Sequence, residues 1–208
     1  MKPGFSRRIF TAGTFLGDVG FLLGRIPSIV GALRDERISR AFVEKVMTVT
    51  SAVNGCTYCT WFHAKQALAS GISEEEVKNM LNLQFQADAT DFETPALLYA
   101  QHFSETDRTP DDEMTRRLLD FYGERTAGHI VLFIRMIVFG NLLGNTWDAV
   151  LSRVKGEPAQ GSSVVFECVF FLLTFWFMLP TMILSRQKST KRSLPGATPD
   201  QASVREER

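Results

Sequence analysis

The sequence predicts an all-α protein, and three observations point to that fold class. From residue 38 onward, apolar residues recur at three- and four-residue spacing, which is the period of one helix face. Capping residues or prolines stand where these segments begin, and glycines stand where they end. No segment shows a convincing alternation of apolar and polar residues, the pattern of a half-buried strand. We therefore expect a helical domain over residues 30–156.

The first two helices of this domain are predicted to meet at a glycine. Residues 38–53 place apolar side chains on one face of a helix, and Gly55 breaks the pattern. A second helix opens at Cys56 and runs to about Ala69. Gly71 then stands where a helix C-terminal glycine belongs.

The remaining helices of the domain are marked mainly by their starts. Residues Ser73–Glu76 form a capping box with acidic residues in the first turn. Thr94–Pro95 and Thr109–Pro110 are cap-then-proline starts of two more helices, and Gly123 ends the second of them. Residues 127–154 are predicted to form a long, largely buried helix, because Arg135 in its middle argues against a membrane span.

The N-terminal residues 1–29 are predicted to form an amphipathic or interfacial segment. Arg7 and Arg8 precede an apolar stretch, as in a twin-arginine export signal. However, Asp18 interrupts that stretch and no small-residue cleavage site follows, so a cleaved leader is weakly supported. Whether residues 9–24 also insert in a membrane stays open.

The C-terminal part predicts a single membrane-spanning helix at residues 164–184. Its length matches the about 20 apolar residues that cross a bilayer, and Glu167, near one end, is its one charged residue. Residues 185–208 are polar and predict a disordered basic tail. Their positive charge favours a cytoplasmic tail, but the side on which the helical domain lies is left open. The expected localisation is the membrane, with lipid as a partner.

Composition and charge exclude two broad classes of protein. The chain has 23 basic and 23 acidic residues, so nothing predicts a nucleic-acid partner. Its three cysteines cannot all pair with one another, which argues against a disulfide-stapled scaffold. Cys168 lies in an apolar run, where a thiol usually behaves as a small hydrophobe.

The segment NGCTYCTWFHAK carries the residues that indicate chemistry. Cys56 and Cys59 lie in the first turns of one helix, where unpaired backbone N–H groups stabilise a thiolate. Helix position favours Cys56 as the more acidic thiol. His63 lies one turn beyond Cys59 and is placed to take its proton. An antiparallel return after Gly55 would bring Glu44 of the preceding helix back to this region.

Three interpretations of these residues are open: a redox dithiol, a metal site, or structural thiols beside an unrelated histidine. A structural zinc site requires four ligands. No second Cys/His pair stands at ligand spacing, and His102 and His129 are isolated. We therefore predict no metal and no cofactor.

Glu44, the CTYC run at 56–59 and His63 together resemble the E-x11-C-x2-C-x3-H pattern of the AhpD-like alkylhydroperoxidases, in the carboxymuconolactone decarboxylase superfamily. The resemblance runs over residues 30–152. It implies an all-helical domain that forms a trimer or hexamer and reduces a hydroperoxide at the expense of a dithiol or protein reductant. It also implies that Cys59 attacks the peroxide and that Cys56 is the resolving cysteine, which forms a disulfide with the oxidised Cys59.

By the same resemblance, Glu44 and His63 form a proton relay. Many members of the family have a second histidine between the cysteines, whereas this sequence has Tyr58, a possible auxiliary residue and a poor base at neutral pH. Disulfide exchange with a partner protein is a second use of the same dithiol, and two other functions are considered. One is a carboxymuconolactone decarboxylase-type enzyme, which does not depend on a CxxC pair. The other is a non-catalytic, membrane-bound assembly subunit built on the same helices.

Overall fold

The computed structural model describes residues 5–84 and 91–189, and within this part of the chain the all-α prediction is confirmed. The described residues form eight helices and no strand: α1 Ala12–Gly24, α2 Ile26–Ala32, α3 Arg40–Asn54, α4 Thr57–Ala69, α5 Glu74–Leu81, α6 Thr94–Glu105, α7 Asp112–Val154 and α8 Val164–Ser189. The boundaries of the predicted domain at 30 and 156 stay a prediction.

Side-chain caps start several of these helices, and two starts differ from the expected residues. Thr94, expected as a cap, is the first residue of α6, whose N-cap is Glu93. The hydroxyl of Ser73 accepts from the first turn of α5, as predicted. Thr109 does not cap α7; the Asp111 carboxylate accepts from the Met114 N–H at 2.7 Å instead. An aspartate is an equally good cap and adds negative charge at the helix N-terminus, so α7 begins after it.

Helix α7 is the central element of the fold. Gly123, with φ 73° and ψ 162°, interrupts its backbone where the sequence predicted a helix end. The helix packs against α2, α3, α4, α6 and α8. Within the described part, α7 is the one helix long and apolar enough to cross a membrane, with a second candidate if α1 and α2, bent by 64°, count together. Because 56% of the most apolar window of α7 is buried inside the protein, we interpret it as a core helix, as predicted.

Helix α8 contains the predicted membrane span, but its first half is docked on the domain. The Trp147 indole donates to the hydroxyl of Thr174 at 2.8 Å, and its ring lies 4.8 Å from that of Phe171. Glu167 is almost fully buried and is ion-paired with Arg153 of α7. The described outer face of α8 is apolar and exposed, with Val165, Val169, Leu172, Leu173 and Trp176. Most of the predicted tail, residues 190–208, lies outside the described residues.

A cluster of phenylalanines joins the N-terminal segment to α7 and α8. Phe10 is fully buried, and its ring centroid lies 5.3 Å from that of Phe15 and 5.4 Å from that of Phe139. Phe15 in turn contacts Phe166 and Phe170 of α8. The abundance of phenylalanine therefore serves in part to hold both terminal segments against the helical domain.

Candidate functional site

The candidate site lies at the corner where α3 turns into α4. Gly55 ends α3 in the left-handed region, at φ 66°, a conformation that glycine adopts without strain. Cys56 follows as the N-cap of α4, which then runs back along α3. This reversal brings His63 of α4 beside Glu44 of α3, although 19 residues separate them.

Glu44 and His63 form a nearly buried hydrogen-bonded pair. The Oε2 atom of Glu44 lies 2.7 Å from Nδ1 of His63, and the two side chains are 10% and 12% exposed. A carboxylate accepts the Nδ1–H and so leaves the lone pair of Nε2 free to act as a base. The ring of Phe62 packs edge-on against the imidazole at 5.1 Å. The pair is therefore held in one orientation and one tautomer.

The two thiols are in direct contact. The Sγ atoms of Cys56 and Cys59 lie 2.6 Å apart, and both residues are free cysteines. Cys56 is fully buried, whereas Cys59 is partly exposed. Little movement is needed to join the two sulfurs, and a small reactant can reach only Cys59 from solvent.

The surroundings of the pair favour one particular thiolate. The hydrogen bond between the two thiols lowers the pKa of Cys56, and burial opposes that effect. The Cys59 backbone N–H, at 3.4 Å, and the positive charge of Arg7 lower it further. The pKa of Cys59 is raised, first by the same hydrogen bond and then by burial. The acidic thiol is thus the buried one, as helix position alone indicated.

Two charged residues beside the thiols were not predicted. Arg7 forms an ion pair with Asp148 of α7 at 2.7 Å and donates to the carbonyl of Gly55 at 3.2 Å. The hydroxyl of Tyr58 donates to Asp148 at 2.9 Å, so this residue contacts the arginine–aspartate pair. No local pattern in the sequence indicates these contacts, because the partners are far apart along the chain.

Helix α7 forms the wall behind Cys56. A Cβ atom built on Gly144 would lie 2.7 Å from the sulfur of Cys56, so α7 approaches the thiol as closely as a glycine permits. Next to it, the Asn145 amide donates to the carbonyl of Asn54 at 3.0 Å, and one turn earlier Asn141 accepts from Ser51 at 3.0 Å. These bonds fix the end of α3 and therefore the position of Cys56.

The other candidate residues lie outside this site. His102 contacts Asp111 at 3.1 Å at the turn between α6 and α7, and His129 contacts Asp35 at 2.7 Å. Cys168, which the sequence predicts to behave as a small hydrophobe, is exposed on α8. Among residues 5–84 and 91–189, no group of three or more histidine, cysteine or acidic side chains is arranged to hold a metal ion.

Comparison with known families gives one match, at residues 29–102, to the model of the carboxymuconolactone decarboxylase family. No curated protein matches the chain significantly. The matched residues run from α2 into α6 and contain both thiols and the Glu44–His63 pair, whereas Gly144 and Asp148 lie beyond them. Residues 29–102 of this chain are thus similar to the carboxymuconolactone decarboxylase family, which includes the AhpD-like proteins that the sequence resembles.

Proposed function

We propose that the protein is a thiol-dependent peroxidase that cycles Cys56 and Cys59 between dithiol and disulfide. One observation carries the proposal: two free thiols in contact at 2.6 Å lie on the helix that carries a histidine bonded to a buried carboxylate. A purely structural pair of thiols requires no such base. An acid–base enzyme of the decarboxylase type requires no such pair of thiols.

The roles of the two cysteines follow from their different surroundings. Cys59 is partly exposed and lies one helical turn before His63, so it meets the peroxide and can pass its proton to Nε2. Cys56 is buried and stabilised as a thiolate, so it suits the second step, in which a thiolate attacks an oxidised sulfur. This division agrees with the roles that the family resemblance implies.

The proposed cycle consists of oxidation of Cys59, disulfide formation with Cys56 and reduction of the disulfide. The Cys59 thiolate attacks the distal oxygen of a hydroperoxide ROOH, the O–O bond breaks, and a proton from His63 converts the leaving RO⁻ to ROH. The Cys59 sulfenic acid is then attacked by the Cys56 thiolate. The S–O bond breaks, the S–S bond forms, and hydroxide leaves as water after it takes up a proton. An external dithiol or protein reductant reopens the disulfide.

Attachment to a membrane is also part of the proposal. Support comes from the length of α8 and from its apolar outer face, where Leu172 and Trp176 are 75% and 73% exposed. Because Phe170 and Phe171 pack inward, lipid would meet the outer face of this part of the helix. A single pass through residues 164–184 and a trimeric or hexameric assembly are proposed with it.

The test is a count of thiols. The reduced full-length protein in detergent is mixed with one equivalent of an organic hydroperoxide, and the thiols are counted by mass spectrometry of alkylated peptides. We expect loss of two thiols, at Cys56 and Cys59, and recovery with a dithiol reductant. Cys168→Ser serves as the control and should behave as the wild type.

Two variants assign the roles within the pair. Cys59→Ser should abolish peroxide consumption, whereas Cys56→Ser should consume one equivalent and accumulate a sulfenic acid at Cys59. Peroxide consumption that survives Cys59→Ser would contradict the proposed roles. Retention of both thiols in the wild type would overturn the proposed peroxidase function and favour the non-catalytic, membrane-bound assembly subunit.

A further inference from the structure

A cavity lies far from the thiols. It has a volume of about 490 Å³ and lies between the α1–α2 bend, α6 and α7. Ligand-binding pockets commonly have volumes of about 300–1,000 Å³. Leu132 lines the cavity, and Gly144 contacts the thiol site 12 residues later on α7, which corresponds to about 18 Å along the helix axis. The cavity is therefore separate from the dithiol.

The walls of the cavity combine two kinds of surface. One part is apolar, formed by Phe21 and by leucine and valine side chains of α7 that include Leu118 and Leu132. The other part carries the guanidinium groups of Arg25, Arg125 and Arg135, with Glu124 as the one carboxylate among the lining residues. This combination fits a ligand with an apolar chain and a negatively charged end.

Arg135 is the residue that most clearly lacks a full counterion. Its guanidinium lies 3.5 Å from the centre of the Phe21 ring, and its distance to Asp18 is 3.8 Å. That carboxylate is already bound by Arg108 at 2.7 Å. Burial lowers the pKa of Arg135, Asp18 opposes this, and the like charges of Arg108 and Arg25 lower it further. Among the described residues, Arg135 thus shares its one ion-pair partner, Asp18, with Arg108, so the positive charge of the two guanidinium groups exceeds the single negative charge of Asp18.

The other two cavity arginines do not resolve this excess. Among residues 5–84 and 91–189, no carboxylate lies within ion-pair distance of Arg25 or Arg125. A guanidinium donates two parallel hydrogen bonds to a carboxylate, which makes it a strong receptor for that group. A single carboxylate at the cavity end of Arg135 would offset part of the positive charge.

We propose that this cavity binds a long-chain carboxylic acid, with its carboxylate at Arg135 and Arg25 and its chain along Phe21 and the apolar side chains of α7. The ligand is identified by chemistry: a negative charge offsets part of the arginine excess, and an apolar chain fits the apolar wall. The site is independent of the peroxidase cycle, because none of its residues belongs to the thiol pair or the Glu44–His63 pair.

The test is calorimetric titration of decanoate into the full-length protein in a nonionic detergent, with detergent alone as the blank. 1-Decanol, which has the same chain without the charge, is the matched ligand control. We expect decanoate to bind at least about tenfold more tightly than decanol, since a hydrogen bond to a charged group is stronger than one to a neutral hydroxyl. The proposal would be overturned if the two ligands bound with equal affinity, or if the titration of decanoate gave no heat of binding above the detergent blank.

Arginine variants test whether decanoate binds in this cavity. Arg135→Gln should weaken decanoate binding by about tenfold or more. Arg25→Gln, at an exposed position, should weaken it without a risk to folding. Arg117→Gln, on the same helix but outside the cavity, should bind as the wild type does. Wild-type affinity in both Arg25→Gln and Arg135→Gln would overturn the site. Cys59→Ser should bind decanoate normally, so failure of the peroxidase proposal would be seen separately.

Discussion

At the scale of single residues, the pKa values of the two cysteines shift in opposite directions because the cysteines occupy different positions at the start of α4. Cys56 is the N-cap, where its sulfur accepts the Cys59 backbone N–H. Cys59 lies one turn into the helix, and its sulfur lies 2.6 Å from that of Cys56. The pKa of Cys56 is lowered and that of Cys59 is raised, so the first ionisation leaves one proton between the two sulfurs and the charge on the sulfur nearest the helix N-terminus.

Arg7 is expected to contribute to this ionisation. Its positive charge lowers the pKa of Cys56, so Arg7→Gln should move the first thiolate midpoint upward, toward the ordinary value of 9.0. We expect a rise of about half a pH unit, since a partly exposed charge acts through a high effective dielectric. The measurement is absorbance at 240 nm against pH in a Cys168→Ser background.

Arg8→Gln is the matched control for this titration. Arg8 belongs to the same N-terminal segment, but its guanidinium binds Asn54, the Ser104 carbonyl and Asp107. Its loss should loosen the segment and leave the midpoint where it is in the wild type. A midpoint that moves equally in both variants would mean that the segment acts by covering the site and that the charge of Arg7 is not the cause.

At the scale of helices, the site depends on how closely α7 approaches the α3–α4 corner. Asn141 and Asn145 bind the last turn of α3, and Gly144 between them faces the sulfur of Cys56. The amides fix the distance between the helices, and the missing side chain makes room for the thiol. A buried polar contact of this kind specifies the position of a helix more strictly than apolar packing does.

Gly144→Ala tests this close approach. The new Cβ would lie 2.7 Å from the Cys56 sulfur, so Cys56 or α7 must shift. Alanine favours the helix by up to about 1 kcal/mol, but overpacking costs about 1–3 kcal/mol. We therefore expect a lower free energy of unfolding in urea and slower disulfide formation after peroxide addition.

Gly140→Ala, one turn earlier on α7, is the matched control, because its Cβ would meet only Ile137 at an ordinary 3.9 Å. It should be neutral or stabilising and should oxidise at the wild-type rate. If Gly144→Ala oxidised as fast as Gly140→Ala, close contact with α7 would have no role in positioning Cys56.

At the scale of the whole molecule, both terminal segments pack onto the helical domain. The N-terminal segment docks through Phe10 and through its two arginines, and α8 docks through Phe170 and the Arg153–Glu167 ion pair. The described outer face of α8 remains apolar and exposed. In a membrane-bound protein, lipid covers such a face.

The reactivity of Cys168 tests whether lipid covers the outer face of α8. This residue is exposed in the structure of the single chain. In membranes from expressing cells, we expect it to be protected from a charged maleimide and to become reactive once a mild detergent dissolves the lipid. Alkaline carbonate should leave the protein in the membrane pellet. Full labelling without detergent, together with release by carbonate, would contradict membrane attachment.

The sequence by itself determined the helical class, most helix ends and the four residues of the thiol site. The helices depend on short-range physics, because helical periodicity, capping and glycine turns act within a few residues. Gly55 marks the return that brings Glu44 to His63, but the pairing of these two residues was indicated by the family resemblance. The start of α7 at Asp112 differs from the predicted start at Thr109–Pro110, because Asp111 and Thr109 compete as caps within one turn.

Only the tertiary structure decided what surrounds the thiols. Arg7, Gly144 and Asp148 reach the site from parts of the chain that lie far from Cys56 in sequence, and no local pattern marks such partners. The same holds for the arginine-lined cavity, where α1, α6 and α7 each contribute one wall. Contacts between distant segments arise from packing, so their electrostatic consequences become visible only when the helices are assembled.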